Sequence, residues 1–331
     1  MISYIDLDLR IFDVMTTLTE SLSPEMKEYY RTRLIDIASP NLIHDQFGQK
    51  HPIPQNNGKT IEFRKLSPLA KAMTPLTEGV TPAGNRLTVT KITSTIAQYG
   101  DYITSSDLLE LTAIDPNQEM NMTTLGDQAG RTLDTVTREV ITAGTNVMYA
   151  PKSDGTEVLL RENVSRDCLL TPKLINQAVA KLKRMNAKKI NGYFIGIVHT
   201  DTACDLQNNK DWIEVHKYTD SEKIYEGEIG KLGGVRFVET SEAKIIGGAG
   251  ENGDAVYCTM IIGADAYGTT DIEGGGLEYI IQQLGSGGTE DPLKQRSSCG
   301  WKATKTAERL VEEFMVRIEH GSESNPEAES N

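Results

Sequence analysis

The chain is 331 residues long with 24% charged residues and a net charge of -13, the make-up of a water-facing protein with room for a large core and more than one substructure. That acidic surplus argues against a general nucleic-acid binder, which carries a basic excess, and against docking on an anionic membrane.

In chain order, the first predicted element is a helix opened by Ser23 and Pro24, since serine caps free N–H groups and proline is tolerated in the first turn. Met26, Tyr30, Leu34 and Ile37 fall on one of its faces. Residues 39–58, rich in Pro, Asn, His and Gln, have no clear period and are expected to form an extended arm. Residues 59–66 (KTIEFRKL) alternate, with Ile61 and Phe63 on one side and Thr60, Glu62 and Arg64 on the other, which predicts a strand. A return strand is predicted at 87–96, dense in Thr, Val and Ile. The connection between them is far longer than the roughly two to five residues that reverse a hairpin. It contains TPLTEGVTPAG (74–84), with two Thr-Pro pairs and two glycines. Two strands alone are marginal in water, so a hairpin this long must lie on its own body or on another subunit.

The strongest predicted helix follows. Asp115, Pro116 and Gln118 supply an N-cap, a first-turn proline and a capping-box partner. Met122, Leu125, Ala129, Leu133, Val136, Val140 and Ala143 then recur at spacings of three and four, one apolar stripe that stops before the C-cap residue Gly144. The second half alternates. It holds a helix from Thr171 and Pro172 to about Asn186, a strand at 193–200, a short helix near 201–207, and strands at 235–239, 255–263 and 276–282. Residues 301–321 are the last piece expected to be ordered, and the polar, acidic tail beyond them is expected to be disordered.

Candidate chemistry is sparse. Residues 248–253 spell GxGxxG, but a dinucleotide site needs a helix to start there, and a strand (AVYCTMII) follows, so the motif reads as a hairpin turn. His44, His51, His199, His216 and His320 form no HExxH and no local set with metal-ligand spacing; Asp265, Asp271 and Glu273 lack EF-hand spacing. No GxSxG elbow occurs. Cys168, Cys204, Cys258 and Cys299 are far apart, as reduced thiols in a cytoplasmic setting would be. No run approaches the ~20 apolar residues of a membrane span, and MISYIDLDLR lacks the basic and apolar regions of a signal peptide. The one basic cluster, 181–189 (KLKRMNAKK), reads as a solvated helix end with Leu182 and Met185 facing inward; its functional alternative is a charge contact between subunits. No catalytic residue, cofactor or metal site is expected.

The order of elements is arm, long hairpin, long helix and compact α/β portion. Together with TPLTEGVTPAG, QYGDYITSSDLLELT (98–112), DQAGRTLDTVTREVITAGTN (127–146), GYFIGIVHTDTACDL (192–206), YEGEIGKLGGVRFVETSEAKI (225–245), IIGADAYG (261–268) and CGWKATKTAERL (299–310), that order resembles the major capsid proteins of tailed bacteriophages, and within them the phage N-four-related family. The resemblance covers about 23–320 and rests on order and spacing rather than on one diagnostic motif; His199 stands where the family carries proline.

The resemblance implies an α+β, Hong Kong 97-type capsid fold. Its parts would be an N-terminal arm (1–57) wrapped on an adjacent subunit, an extended loop hairpin (58–104), a peripheral domain with a spine helix (105–171), an α/β axial domain (172–270), a return to the peripheral and axial core (271–320) and a disordered acidic tail (321–331). It implies a structural, non-enzymatic major capsid protein that assembles through hexamers and pentamers into an icosahedral shell around double-stranded DNA. Its place would be the virion capsid and, during assembly, the host cytoplasm. Implied partners are further copies, scaffolding, portal and decoration proteins, and packaged DNA bound without sequence specificity; a membrane is not among them. The tip residues Thr74, Pro75, Leu76, Thr77, Glu78, Gly79, Val80, Thr81 and Pro82 would form a subunit interface, with the Thr-Pro pairs limiting the entropy lost on docking. An acidic wall would also leave packaged DNA unbound. Two alternatives stay open: the shell protein of a bacterial nanocompartment with the same fold, and a nucleotide-binding enzyme, which requires a helix after Gly253.

Overall fold

The computed structural model describes residues 34, 37, 38 and 42–331, except 67–68, 77, 82–83, 113–116, 211, 214–227 and 287–290. The helix expected to open at Ser23 lies outside the described residues apart from Leu34, Ile37 and Ala38, which are helical. In chain order come β1 (Gln49–Lys50), β2 (Thr60–Leu66), β3 (Val89–Thr95), β4 (Ala97–Ser106), α1 (Asp107–Thr112), α2 (Asn117–Thr142) and β5 (Val147–Tyr149). The second half holds α3 (Pro172–Arg184), β6 (Phe194–His199), α4 (Thr200–Asn208), β7 (Glu228–Leu232), β8 (Val235–Thr240), β9 (Ile245–Ile246), β10 (Val256–Ile262), β11 (Tyr267–Thr270), β12 (Glu278–Gln282), β13 (Arg296–Arg309) and β14 (Met315–His320).

One sheet is organised by β13, which is long enough to serve several partners. Its first two-thirds pair antiparallel with β4 on one edge and with β12 on the other, and Thr306–Arg309 continue onto β11, which in turn carries β1 in parallel. Side chains alternate along a strand, so one face of this sheet presents Cys299, Trp301 and Ala303. The first half of α2 lies across that face with Leu125, Ala129 and Leu133. Gln128 fixes the register by accepting from Trp301 Nε1 at 3.2 Å and donating to Asp101 at 2.6 Å. Gly126 leaves room for Ile37, whose side chain a Cβ there would meet at 3.0 Å.

The expected single stripe holds only for that half. Beyond Leu133, Val136 and Val140 are half-buried and Ala143 is exposed, whereas Asp134, Thr137, Arg138 and Ile141 are buried. The polar members have partners from distant parts of the chain. Asp134 accepts from the His44 backbone N–H at 2.8 Å and faces its ring at 2.5 Å. Thr137 donates to Asp45 at 3.0 Å, and Arg138 donates to the carbonyls of Glu242 and Asn331 at 2.8 and 3.0 Å. A pattern of apolar residues assigns such side chains to water because it sees no partners; once paired they can be buried. In the described part of the arm His44, Phe47 and Ile53 are buried against the chain's own body, and Ile53 bridges to Ile272.

The second sheet runs β5-β14-β10-β6-β8-β7, with β9 on β10. Every residue of β10 is buried, as its unbroken apolar run requires of a central strand. On one side α3 packs Leu174, Ile175, Ala178 and Leu182, started by Thr171, whose side chain accepts from Leu174 N–H. On the other side Ile195, Ile197, Met260 and Ile262 meet Ile141 of α2 together with Phe47 and Tyr267, which joins the two sheets in one core. At the end of α3 Leu182 is buried as expected, but Met185 is 47% exposed because the helix has ended and the chain turns away. Of the cysteines, Cys168, Cys258 and Cys299 are buried and Cys204 is exposed; burial pushes the Cys258 thiol up to about 12.

The tail corrects a further expectation. Residues 321–331 are not disordered but packed along α4, β9 and β10. Ser322 and Ser324 donate to Asp205 at 2.6 and 2.5 Å, Ala255 N–H donates to Pro326 O at 2.7 Å, and Asn331 accepts from Ile245 N–H at 2.9 Å and donates to Ala243 O at 2.7 Å. Polar composition predicts disorder when there is no apolar surface to bury; here hydrogen bonds to sheet edges and to Asp205 fix the segment instead.

Just before the tail, His320 is fully buried, its ring nitrogens 2.9 Å from Thr259 Oγ1 and 2.8 Å from Gly321 O, with Asp205, Glu319 and His199 as charged or titratable neighbours. Burial pushes its pKa from 6.5 down to about 4. The folded ring stays neutral while the unfolded chain takes up a proton below 6.5, so this contribution is complete above that pH and is lost as pH falls toward 4. We expect a loss of about 3 kcal/mol across that window, read from denaturant midpoints, and a smaller loss in His320→Gln.

Candidate assembly interface

β2 and β3 form a two-stranded antiparallel hairpin in the register Thr60↔Thr95 to Leu66↔Val89. Their alternation points Phe63 inward, edge-on to His51 with ring centroids 5.5 Å apart, and Gly268 lets it approach, since a Cβ there would lie 3.2 Å from the Phe63 ring. Lys65 reaches Glu313 at 3.0 Å, and Ser94 Oγ lies 2.9 Å from Thr306 Oγ1. These contacts tie the hairpin base to the body. Beside them runs an open groove of about 1240 Å³, walled by Phe63, Leu69, Leu87, Met185, Leu310 and Phe314.

Past Leu66 the described chain leaves the ladder and is exposed throughout, from 69 to 76, 78 to 81 and 84 to 88. Thr74, Pro75, Leu76, Glu78, Gly79, Val80 and Thr81 all lie at the solvent-facing tip; Thr77 and Pro82 lie outside the described residues. Met73 is 81% exposed, Leu76 77% and Val80 64%. Gly79 has φ of 76°, a left-handed turn that favours glycine. An isolated hairpin with several large apolar side chains in water has no internal reason to carry them. Exposed apolar clusters of this kind are unusual on a surface that stays in water.

Other sequence candidates resolve differently. The 248–253 motif is a turn: Glu251–Gly253 makes a single 3-10 turn, then β10 starts and pairs back onto β9. A Cβ on Gly250 would meet Val164 O at 2.3 Å, so this glycine serves close backbone packing and not a phosphate. His199 ends β6, where it accepts from Asp201 N–H at 3.1 Å and caps α4. No group of three or more His, Cys, Asp or Glu is arranged to hold a metal among the described residues. Two features had no signal in the sequence: the groove at the hairpin base, which joins residues from six separate segments, and the exposure of α1, where Leu108 is 66%, Leu109 48% and Leu111 82% exposed.

No protein-family profile matches the chain, and no curated protein matches its sequence. Solved structures do match in fold. The capsid of Ralstonia phage GP4 superposes with a TM-score of 0.67 at 12% identity, over 84% of this chain and 87% of that one. The capsid of cyanophage P-SCSP1u gives 0.63 at 14% identity, over 83% and 87%. The SrpI encapsulin complex of Synechococcus elongatus gives 0.54 at 7% identity, over 86% and 89%. At such identities the likeness is one of architecture, and the architecture is the α+β Hong Kong 97-type fold of shell-forming capsid proteins.

Proposed function

We propose that this chain is a structural major capsid protein of a tailed phage, assembling through hexamers and pentamers into an icosahedral shell around double-stranded DNA. The observation that carries the reading is the hairpin: in a chain with a shell-protein fold, its apolar tip is uncovered by the chain's own body. Each docked tip buries apolar surface on a neighbour, and many weak contacts per subunit add up in a closed shell. In this reading residues 105–171 are the peripheral domain with α2 as spine, 172–270 the axial domain that gathers at the symmetry axes, and 58–104 the clamp. The net charge of -13 suits a wall that leaves packaged DNA unbound. Scaffolding, portal and decoration proteins are the partners, with assembly in the host cytoplasm and final residence in the virion. The chain acts by assembly and not by catalysis.

A second reading, a nanocompartment shell, is favoured by the encapsulin likeness. Particle contents separate the two, DNA in one case and protein cargo in the other. The test of assembly is sedimentation velocity with negative-stain imaging of the purified chain and of a variant lacking residues 69–86. We expect megadalton particles from the parent, and from the deletion a folded subunit of unchanged melting temperature that does not close into shells. Equal assembly of the two, or a parent that stays a 36.4 kDa species, would remove the proposal.

A further inference from the structure

Folding gathers the cations at the end of α3 into one corner. From 168 to 200 the chain carries Lys173, Lys181, Lys183, Arg184, Lys188 and Lys189 and no acid, although its net charge is -13. The turn from β7 into β8, KLGGVR (231–236), adds Lys231 and Arg236, again without an acid. That turn lies against α3. Gly233 and Gly234 have left-handed φ of 60° and 88°, and a Cβ on Gly233 would meet Asn176 Oδ1 at 2.2 Å. Lys183 stands about two turns further along the same side of α3 as Asn176. Lys189 Nζ lies 3.9 Å from where a Cβ on Gly234 would be. Tyr193 completes the corner, with the Arg236 guanidinium 4.7 Å and Lys231 Nζ 5.5 Å from its ring centroid.

These charges are nearly unopposed. Among the described residues Lys188 meets Asp265 at 3.8 Å, both side chains being exposed, while Lys183, Arg184, Lys189 and Lys231 meet no carboxylate. Burial lowers the Lys181 amine below its ordinary range, and the Arg184 charge beside it lowers it further. The hairpin is also basic, but Lys65 and Lys91 there are paired with Glu313 and Glu62 at 3.0 and 3.1 Å, and Met73, Leu76 and Val80 make it apolar. In the α3 corner, residues 171–200 and 231–236, the one large exposed apolar side chain is Met185. A protein partner needs an apolar centre to its contact, whereas phosphates need only positive charge and N–H donors.

We propose that this corner is a contact for the phosphate backbone of duplex DNA, bound without regard to base sequence. Lysines on an exposed helix end act as point charges that meet phosphates and do not read base edges. The acidic remainder of the chain repels the duplex, so the contact is confined to this corner, weak and steeply salt-dependent. The assignment goes beyond the shell-protein reading and is measured on the unassembled chain, so it stands or falls separately from assembly.

The test is fluorescence anisotropy of a labelled duplex of about 20 base pairs, titrated at about 50 mM salt with the full-length chain below its assembly concentration. Lys183→Glu/Lys189→Glu reverses two exposed charges in the corner, and Lys71→Glu/Arg86→Glu makes the same change in net charge on the hairpin. The corner pair should raise Kd by about tenfold or more and reduce the slope of log K against log salt by about two, while the hairpin pair stays within about threefold of the parent. Lys183→Gln/Lys189→Gln, a milder change, should fall between parent and corner pair, and a duplex of shuffled sequence should bind the parent within about twofold. Melting of each chain verifies folding. Equal losses in the corner and hairpin pairs would reduce the effect to net charge and overturn the proposal, as would a parent that binds no more tightly than the corner pair. A corner pair that binds DNA like the parent yet fails to assemble in sedimentation velocity would overturn it in favour of a charge contact between copies.

Discussion

Glu319→Ala is expected to lower the unfolding free energy by about 3–5 kcal/mol, the cost of leaving Arg317, and in part Arg161, without their buried partner. Glu319 has no exposed side-chain surface and sits on β14, a strand covered on both faces. Its carboxylate accepts Arg161 Nε at 2.8 Å and Arg161 Nη2 at 2.7 Å in a two-pronged pair, and Arg317 Nε lies 2.9 Å away. The hydrogen bond to Glu319 is the main cause of the raised pKa of Arg161. The two arginines differ in their means of escape. Arg161 is 36% exposed and can turn to water, whereas Arg317 at 13% cannot, which places the effect toward the lower end of that range. Glu319→Gln keeps an acceptor in place and should cost about half as much. Denaturant unfolding of the unassembled subunit measures both. A change under about 1 kcal/mol for the alanine variant would place this pair with ordinary surface ion pairs.

Leu125→Asp should be at least as damaging to the other half of the core. Leu125 is 1% exposed, between α2 and the β13 sheet, where it belongs to one cluster with Ala129, Leu133, Cys299, Trp301 and Ala303. A carboxylate there finds no cation in the cluster, and an unpaired buried charge costs about 4 kcal/mol or more. Leu125→Ala removes packing without adding charge and should cost about 2–5 kcal/mol. A thermal melt followed by circular dichroism distinguishes these variants from the parent. An aspartate variant that melts with the parent would contradict the placement of α2 on the sheet.

The parts legible in the sequence are those whose signal is local. Alternation in KTIEFRKL and β-branched density in the return segment marked β2 and β3, and the length of the connection marked a tip with no core of its own. The three-four spacing from Met122 to Leu133 marked the half of α2 that packs on a flat apolar sheet. The unbroken run AVYCTMII marked β10, because a strand buried on both faces leaves no polar side. The strand that followed the GxGxxG stretch was enough to mark it as a turn.

What stayed hidden has one physical cause: its partners are distant in sequence. β4 carries no local signal that marks it as an element, and it is a strand because its ten residues pair with β13. Asp134, Thr137 and Arg138 read as a solvent face of α2, and they are buried because His44, Asp45, Glu242 and Asn331 converge on them. The acidic tail reads as disordered, and it is fixed because Asp205 and the edges of β9 and β10 offer hydrogen bonds that composition does not reveal. By itself the sequence determined local periodicity, the long proline-punctuated tip and the acidic balance of the whole chain. Only the tertiary structure decided which polar groups are paired and so can be buried, and which leucines are left in water, since both depend on pairings made by folding.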